Sequence, residues 1–201
     1  MACSVSVGRN RFCCSQVGGI KKVYFATFDG DDSLSNPSQK ITSVTVSDAG
    51  VVTDIHTPDN DGDVYFFQFE LDRQLSSFNQ TIVTGSGGSV AYQQDLELHM
   101  VGDSEQSWAK MQQLVESLMY AIVLDNNGVY YLCGVENGIE CSGGTYAHGG
   151  DVAYTDYVGY VLNFSGTELK PAYNLSTTSP FKGWTSSQLE IGAINYQECQ
   201  A

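Results

Sequence analysis

The chain has 201 residues, enough to bury a substantial core within one domain. Only 16% of residues are charged and 11% are aromatic, with 21 Gly and 4 Pro; this texture excludes a disordered chain and suits an all-β protein with many turns. The formal net charge of −14, from 9 basic and 23 acidic residues, excludes a phosphate-binding surface built on clustered cations, since only Arg9/Arg11 and Lys21/Lys22 lie close together.

Residues 1–19 read as an N-terminal arm, polar and Cys-rich, ending in Gly18-Gly19. Residues 20–28 read as a strand, and Asp29-Gly30-Asp31-Asp32 as a turn. A loop over 33–40 leads to two strands, 41–46 and 51–56, joined at Asp48-Ala49-Gly50. Residues 57–63 are a loop. The most aromatic strand is predicted over 64–71, with Tyr65, Phe67, Phe69 and Leu71 on one face and Phe66, Gln68, Glu70 and Asp72 on the other. A strand over 74–83 and a Gly/Ser loop at 85–89 follow. Residues 90–101 alternate strictly: Tyr92, Gln94, Leu96, Leu98 and Met100 face a core, Gln93, Asp95, Glu97 and His99 face water.

One amphipathic helix is predicted over about 104–120. Apolar residues recur at helical spacing (Trp108, Met111, Leu114, Val115, Leu118, Met119), and Asp103 or Ser104 is the expected N-cap. Strands over 121–124 and 129–135 flank the turn Asp125-Asn126-Asn127-Gly128. Asn137-Gly138 reads as a second hairpin turn leading into 139–141. A two-residue turn there sets Glu136 opposite Ile139 and Cys133 opposite Ser142, so Cys133 and Cys141 point to opposite faces and cannot bridge. Residues 142–157 read as a long Gly-, Tyr- and Asp-rich loop, 157–164 as a strand, and 165–172 as a loop carrying Pro171. The tail from Tyr173 is weakly patterned. The expected organisation is an arm (1–19), a mainly β sandwich or barrel with one flanking helix (20–175), and a C-terminal extension (176–201).

No apolar run is long enough for a transmembrane helix. The opening residues lack a basic segment followed by an apolar one, which points to synthesis and use in a cytoplasm, with reduced thiols. The six cysteines form no Cys-x-x-Cys pair and the three histidines stand apart, so no zinc site is expected. Asp59, Asp61, Asp63 and Glu70 imitate a calcium loop, but Val64 stands where its sharp turn needs Gly, and a solvated turn is the better reading. There is no Gly-x-Ser-x-Gly, no Walker loop and no dinucleotide fingerprint. Cys141 lies near His148 in sequence, which by itself sets no geometry, and six cysteines dilute the meaning of any one; ordinary thiols are the better reading, and neither an enzyme nor a cofactor is expected.

Two segments carry a polar, mainly acidic face opposite an apolar one: Gln68, Glu70, Asp72 and Asp95, Glu97, His99. The plain reading is a sheet with one side in bulk water; the sharper one is an acidic wall that keeps nucleic acid from adhering.

The opening Cys14-Ser-Gln-Val-Gly-Gly-Ile-Lys-Lys-Val-Tyr-Phe-Ala-Thr-Phe28 resembles the start of structural proteins of tailed phages. The helix, then Ala121-Ile-Val-Leu-Asp-Asn-Asn-Gly-Val-Tyr-Tyr-Leu-Cys-Gly-Val-Glu-Asn-Gly138, a Gly-rich loop, Tyr157-Val-Gly-Tyr-Val-Leu-Asn-Phe-Ser-Gly-Thr-Glu168 and Pro171-Ala172, resembles the second half of phage tail tube proteins. The likeness spans residues 14–173 and is one of order and texture. It implies a virion protein of the tail, assembled in the host cytoplasm without a membrane anchor. Its rings are commonly hexameric and join their inner sheets into one barrel. The rings stack into a tube, meet terminator, baseplate or tip, and tape-measure proteins, and let double-stranded DNA pass without specific binding. Carried onto this chain, the lumen candidates are Gln68, Glu70, Asp72, Asp95, Glu97 and His99. The stacking candidates lie in the arm 1–19 and the loop 142–157: Cys13, Cys14, Tyr146, His148, Asp151 and Tyr154. The Cys-rich arm and the polar tail depart from the family pattern.

Three rivals carry different expectations. A head-decoration or head–tail connector protein would be β-rich without forming open tubes. A carbohydrate-binding β-sandwich module would use exposed aromatics, but Trp108 falls on the helix stripe and Trp184 is isolated. A cysteine hydrolase would need one thiol with a base and an orienting group.

Overall fold

The computed structural model describes residues 17–28, 41, 43–48, 50–56, 66–72, 74–102, 105–148 and 158–176. In chain order the elements are β1 (Ile20–Thr27), β2 (Ser43–Val46), β3 (Val52–His56), β4 (Phe67–Glu70), β5 (Ser77–Thr84), β6 (Val90–Val101), α1 (Glu105–Glu116), β7 (Met119–Asp125), β8 (Tyr130–Cys133), β9 (Glu140–His148), β10 (Val158–Glu168) and β11 (Tyr173–Ser176). A five-stranded sheet runs β11-β8-β7-β1-β4, a four-stranded sheet runs β5-β6-β10-β9, and β2-β3 is a separate hairpin. All these strand pairs are antiparallel. Among the described residues the protein is thus mainly β with one short helix, in a sandwich-like arrangement.

The five-stranded sheet is covered on both faces. Val23, Phe25, Ala121 and Val123 join Leu96, Leu98, Met100, Leu162 and Phe164 in the cluster between the two sheets. The alternate residues Tyr24, Ala26, Tyr120, Ile122 and Leu132 pack with Val52 and Ile55 of the β2–β3 hairpin and with Ile41, Phe66 and Leu175. This double burial is why β1 and β7 read as nearly continuous apolar runs. The four-stranded sheet hides only its inner face, and β6 alternates as expected, with Leu96, Leu98 and Met100 buried. Each such fully buried Leu contributes roughly 1.5–3 kcal/mol.

Several sequence expectations need correction. The helix ends at Glu116, not at 120. Met119 and Tyr120 instead open β7 opposite Thr27 and Ala26. There one side chain enters each of the two cores, which a helix end would not allow. Among the described residues of the aromatic segment, only Phe67–Glu70 form strand; Phe66 is buried under the hairpin and Phe67 is 63% exposed, so that face is not uniformly buried.

Asn137-Gly138 is no hairpin turn. β8 belongs to the five-stranded sheet and β9 to the four-stranded one, so residues 134–138 carry the chain from one layer to the other. Cys133 and Cys141 are indeed free thiols, but because they sit in different sheets, not through a hairpin register. Residues 140–148, expected partly as loop, form β9; β10 runs on to Glu168; and Tyr173–Ser176, read as the start of a weakly patterned tail, pairs with β8. The calcium-like stretch 59–63 lies outside the described residues, and Glu70 sits on β4, 3.5 Å from Lys22. Among the described residues no group of metal-ligating side chains converges.

Candidate assembly surface

Local sequence explains where the sheets begin and cross. The turn after β7 forms because Asp125 accepts hydrogen bonds from the Asn127 and Val129 amides, at 2.9 and 2.7 Å, while Gly128 takes a positive φ of 85°. The same turn holds the chain leading into β1. The Asn127 side chain accepts from the Val17 amide at 3.1 Å and donates to the Val17 carbonyl at 3.0 Å. The Asn126 side chain donates to the Gly18 carbonyl at 2.6 Å. An amide side chain thus stands in for a neighbouring strand.

The crossing at 134–138 is fixed by two buried polar groups. Gln94, 1% exposed, accepts from the Gly134 amide at 3.1 Å. Glu168, 3% exposed, accepts from the Glu136 and Asn137 amides at 3.0 and 2.9 Å. Burial pushes the Glu168 carboxyl above its ordinary value, and these amide donors only partly offset it. Burial likewise pushes up the Cys133 thiol, with the Glu168 carboxylate adding to it, so Cys133 is a core group rather than a nucleophile.

The outer face of the four-stranded sheet is polar. Asp95, Glu97 and His99 run along β6 there. Asn79 and Ser165 flank Asp95, and Ser77 and Asn163 flank Glu97. Glu140 on β9 lies opposite Ser165 and adds a third acid. Ser165 donates to Asp95 at 2.7 Å and Gln93 donates to it at 3.0 Å, so Asp95 also ties β6 to β10. His99 and Glu97 are paired at 3.2 Å. β5, β6, β9 and β10 contain no Lys or Arg, so among the described residues of these strands His99 is the one outer-face side chain able to become cationic.

The six lumen candidates therefore do not form one wall. Asp95, Glu97 and His99 share the outer face of the four-stranded sheet. Gln68 and Glu70 lie on the far side of the sandwich, opposite Tyr24 and Lys22 of β1, with Lys22 3.4 Å from Gln68. Asp72 lies in the connection after β4; its carboxylate caps the Gln74 amide at 3.0 Å and its own amide donates to the His99 carbonyl at 2.8 Å. Alternation tells which side of a strand is wet, not which sheet the strand joins.

Of the stacking candidates, Tyr146 stands on β9, not in a loop, with its ring stacked on Tyr160 at 4.7 Å. His148 ends β9. Cys13, Cys14, Asp151 and Tyr154 lie outside the described residues. Cys141 and His148 sit seven positions apart on one extended strand, roughly 23 Å at the usual rise, so they cannot act as a nucleophile–base pair within this strand.

The sequence reading missed the sheet edges. β5 and β9 are the two outer strands of the four-stranded sheet, and neither has a second partner strand among the described residues. The run 77–94 contains no charged residue, and neither does 141–147. The tip of the β5–β6 hairpin exposes Ile82 (63%), Val83 (42%) and Val90 (46%). An uncharged run of 18 residues in so acidic a chain is visible in the sequence once edges are looked for. No protein-family model matches the chain, no curated protein matches it in sequence, and no solved structure matches its fold.

Proposed function

We propose that this chain is a tail tube subunit of a bacteriophage virion. Copies of it join edge to edge into a ring, and rings stack into a channel walled by the outer face of the four-stranded sheet. The observation that carries this reading is the pair of sheet edges, β5 and β9, that have no second partner strand among the described residues and carry no charge over residues 77–84 and 141–147. Soluble β proteins protect such edges with Lys, Pro, bulges or a covering segment, because an open strand recruits another. Here neither β5 nor β9 contains a Lys or a Pro, and the ladder between β9 and β10 shifts register only once, between Asn163 and Phe164. Four antiparallel strands place β5 and β9 in opposite directions, so head-to-tail joining of copies continues the antiparallel ladder without a break.

The wall chemistry supports the same reading. Asp95, Glu97 and Glu140 face outward with no Lys or Arg on the four strands. Such a face offers no counterion-releasing contact to phosphate, which suits a channel through which double-stranded DNA slides. The acids of neighbouring copies repel, so salt should promote assembly.

Negative-stain electron microscopy with sedimentation across a salt series tests the proposal. Rings or tubes of uniform bore are expected, favoured by salt. Thr81→Lys, which puts a cation on the β5 edge, should leave the subunit folded and unassembled. A protein that stays monomeric at high concentration throughout the salt series, or a Thr81→Lys variant that assembles like the parent, overturns it.

A further inference from the structure

A groove of about 480 Å³ opens between α1 and the inner face of β9, lined chiefly by Met111, Val115, Cys141, Tyr146, Tyr160 and Leu162. Its floor is low because Gly144, opposite Leu162, brings no side chain, and a Cβ there would stand 2.7 Å from the Val161 carbonyl. At the opposite edge of the same sheet, Ile82 and Val90 belong to the inner-facing row of the β5–β6 hairpin. Ile82 lies opposite Tyr92, and Val90 opposite Thr84. Phe78, in the same row, packs against the core, but Ile82 is 63% and Val90 46% exposed. Among the described residues they form an exposed apolar knob.

We infer that the Ile82–Val90 knob seats in the α1–β9 groove of the next copy of this chain. The inference rests on the ring reading above and names the contact that would set its geometry. Knob and groove occupy the same face at opposite ends of one four-stranded sheet. Any head-to-tail continuation from β9 to a neighbouring β5 carries the inner row of that β5 onto the side where α1 lies. Both parts are apolar, and the hairpin that bears the knob is free of charge from residue 77 to residue 94. Edge pairing alone is indifferent to register, since backbone hydrogen bonds form equally well after a two-residue slip. A side chain entering a pocket fixes one register, and a fixed register is what gives a ring one diameter.

Photocrosslinking tests this with the full chain. Benzoylphenylalanine is placed at position 82, and isotopically light and heavy subunits are mixed before assembly. Light-to-heavy adducts on residues 111–115 or 141–146 are expected. Rings whose adducts map elsewhere, or only within one chain, overturn the knob and groove while leaving the ring reading intact. Failure to assemble under any salt condition, with unlabelled protein as well, overturns both. Ile82→Asp, fully folded by circular dichroism, should raise the concentration needed for assembly about tenfold or more, the scale of an interface hot spot. An unchanged threshold also overturns the inference.

Discussion

Gly138 is the position where a misread turn becomes a measurable constraint. It takes a φ of 78°, and a Cβ there would stand 2.6 Å from Leu118 Cγ and 2.9 Å from its Cδ1. Gly128 takes a similar φ of 85° with open space around it. Alanine at Gly128 should therefore cost only the left-handed backbone penalty, about 1–2 kcal/mol. Alanine at Gly138 adds the overlap with Leu118, and overpacking of this kind costs about 1–3 kcal/mol more. Urea denaturation of dilute, unassembled protein, followed by circular dichroism, measures both. The expected result is that Gly138→Ala lowers stability by about 1–3 kcal/mol more than Gly128→Ala, with the urea dependence unchanged. Equal losses would refute the reasoning, because they would mean that Leu118 moves aside freely and the crossing tolerates a side chain.

Two further changes probe the polar groups that hold the chain path. Glu168 has a folded pKa above its ordinary value of 4.5, so the folded state holds that proton more tightly than the unfolded chain does. Its contribution to stability is then fullest below that ordinary value and declines as pH rises through the raised folded value. Glu168→Gln should remove that decline, so stability measured between pH 4 and 7 should fall more with rising pH in the parent than in the variant. The opposite trend would mean that the amide donors outweigh burial. Asn127→Ala removes both hydrogen bonds to Val17, and at about 1 kcal/mol each this should speed amide exchange at Val17 by about tenfold or more with little change in global stability. Unchanged exchange would show that the turn does not hold this segment.

Much of the fold was legible wherever the informative contacts are local. The two faces of β6, the β2–β3 hairpin and the turn at 125–128 follow from alternation and from turn-forming residues near in sequence. What escaped is decided by partners far along the chain. Asn137-Gly138 carries the signal of a positive φ, which the structure has, but that signal does not say that the flanking strands pair. The crossing is held by Gln94 and Glu168, 40 and 32 positions from the amides they bind. Met119 and Tyr120 fit the helical stripe well and became strand because β1 offered them backbone partners and two cores. Of the candidate wall, Asp95, Glu97 and His99 share a face as their spacing implies, whereas Gln68 and Glu70 fell on the opposite side because sheet membership leaves no local trace.

An acidic outer face is also what a sheet in ordinary water could present, and the two readings separate on charge composition. A surface kept soluble by charge usually mixes both signs. This one carries Asp95, Glu97 and Glu140 on strands with no Lys or Arg at all. Asp95 is a poor probe of its charge, because replacement also disturbs the bonds from Ser165 and Gln93. Glu97 is better: its side chain is half exposed, with His99 3.2 Å away. Glu97→Gln keeps the shape and removes one negative charge from every copy. If these faces converge across a lumen, the removed charges face one another in an enclosed space, and the salt needed for assembly should drop clearly. If the face looks onto bulk solvent, screening over roughly 8–10 Å leaves little to relieve, and the salt dependence should stay as in the parent. Assembly thresholds for the two proteins at 50 and 500 mM salt, about 14 and 4 Å of screening length, therefore decide between a channel wall and a wet surface.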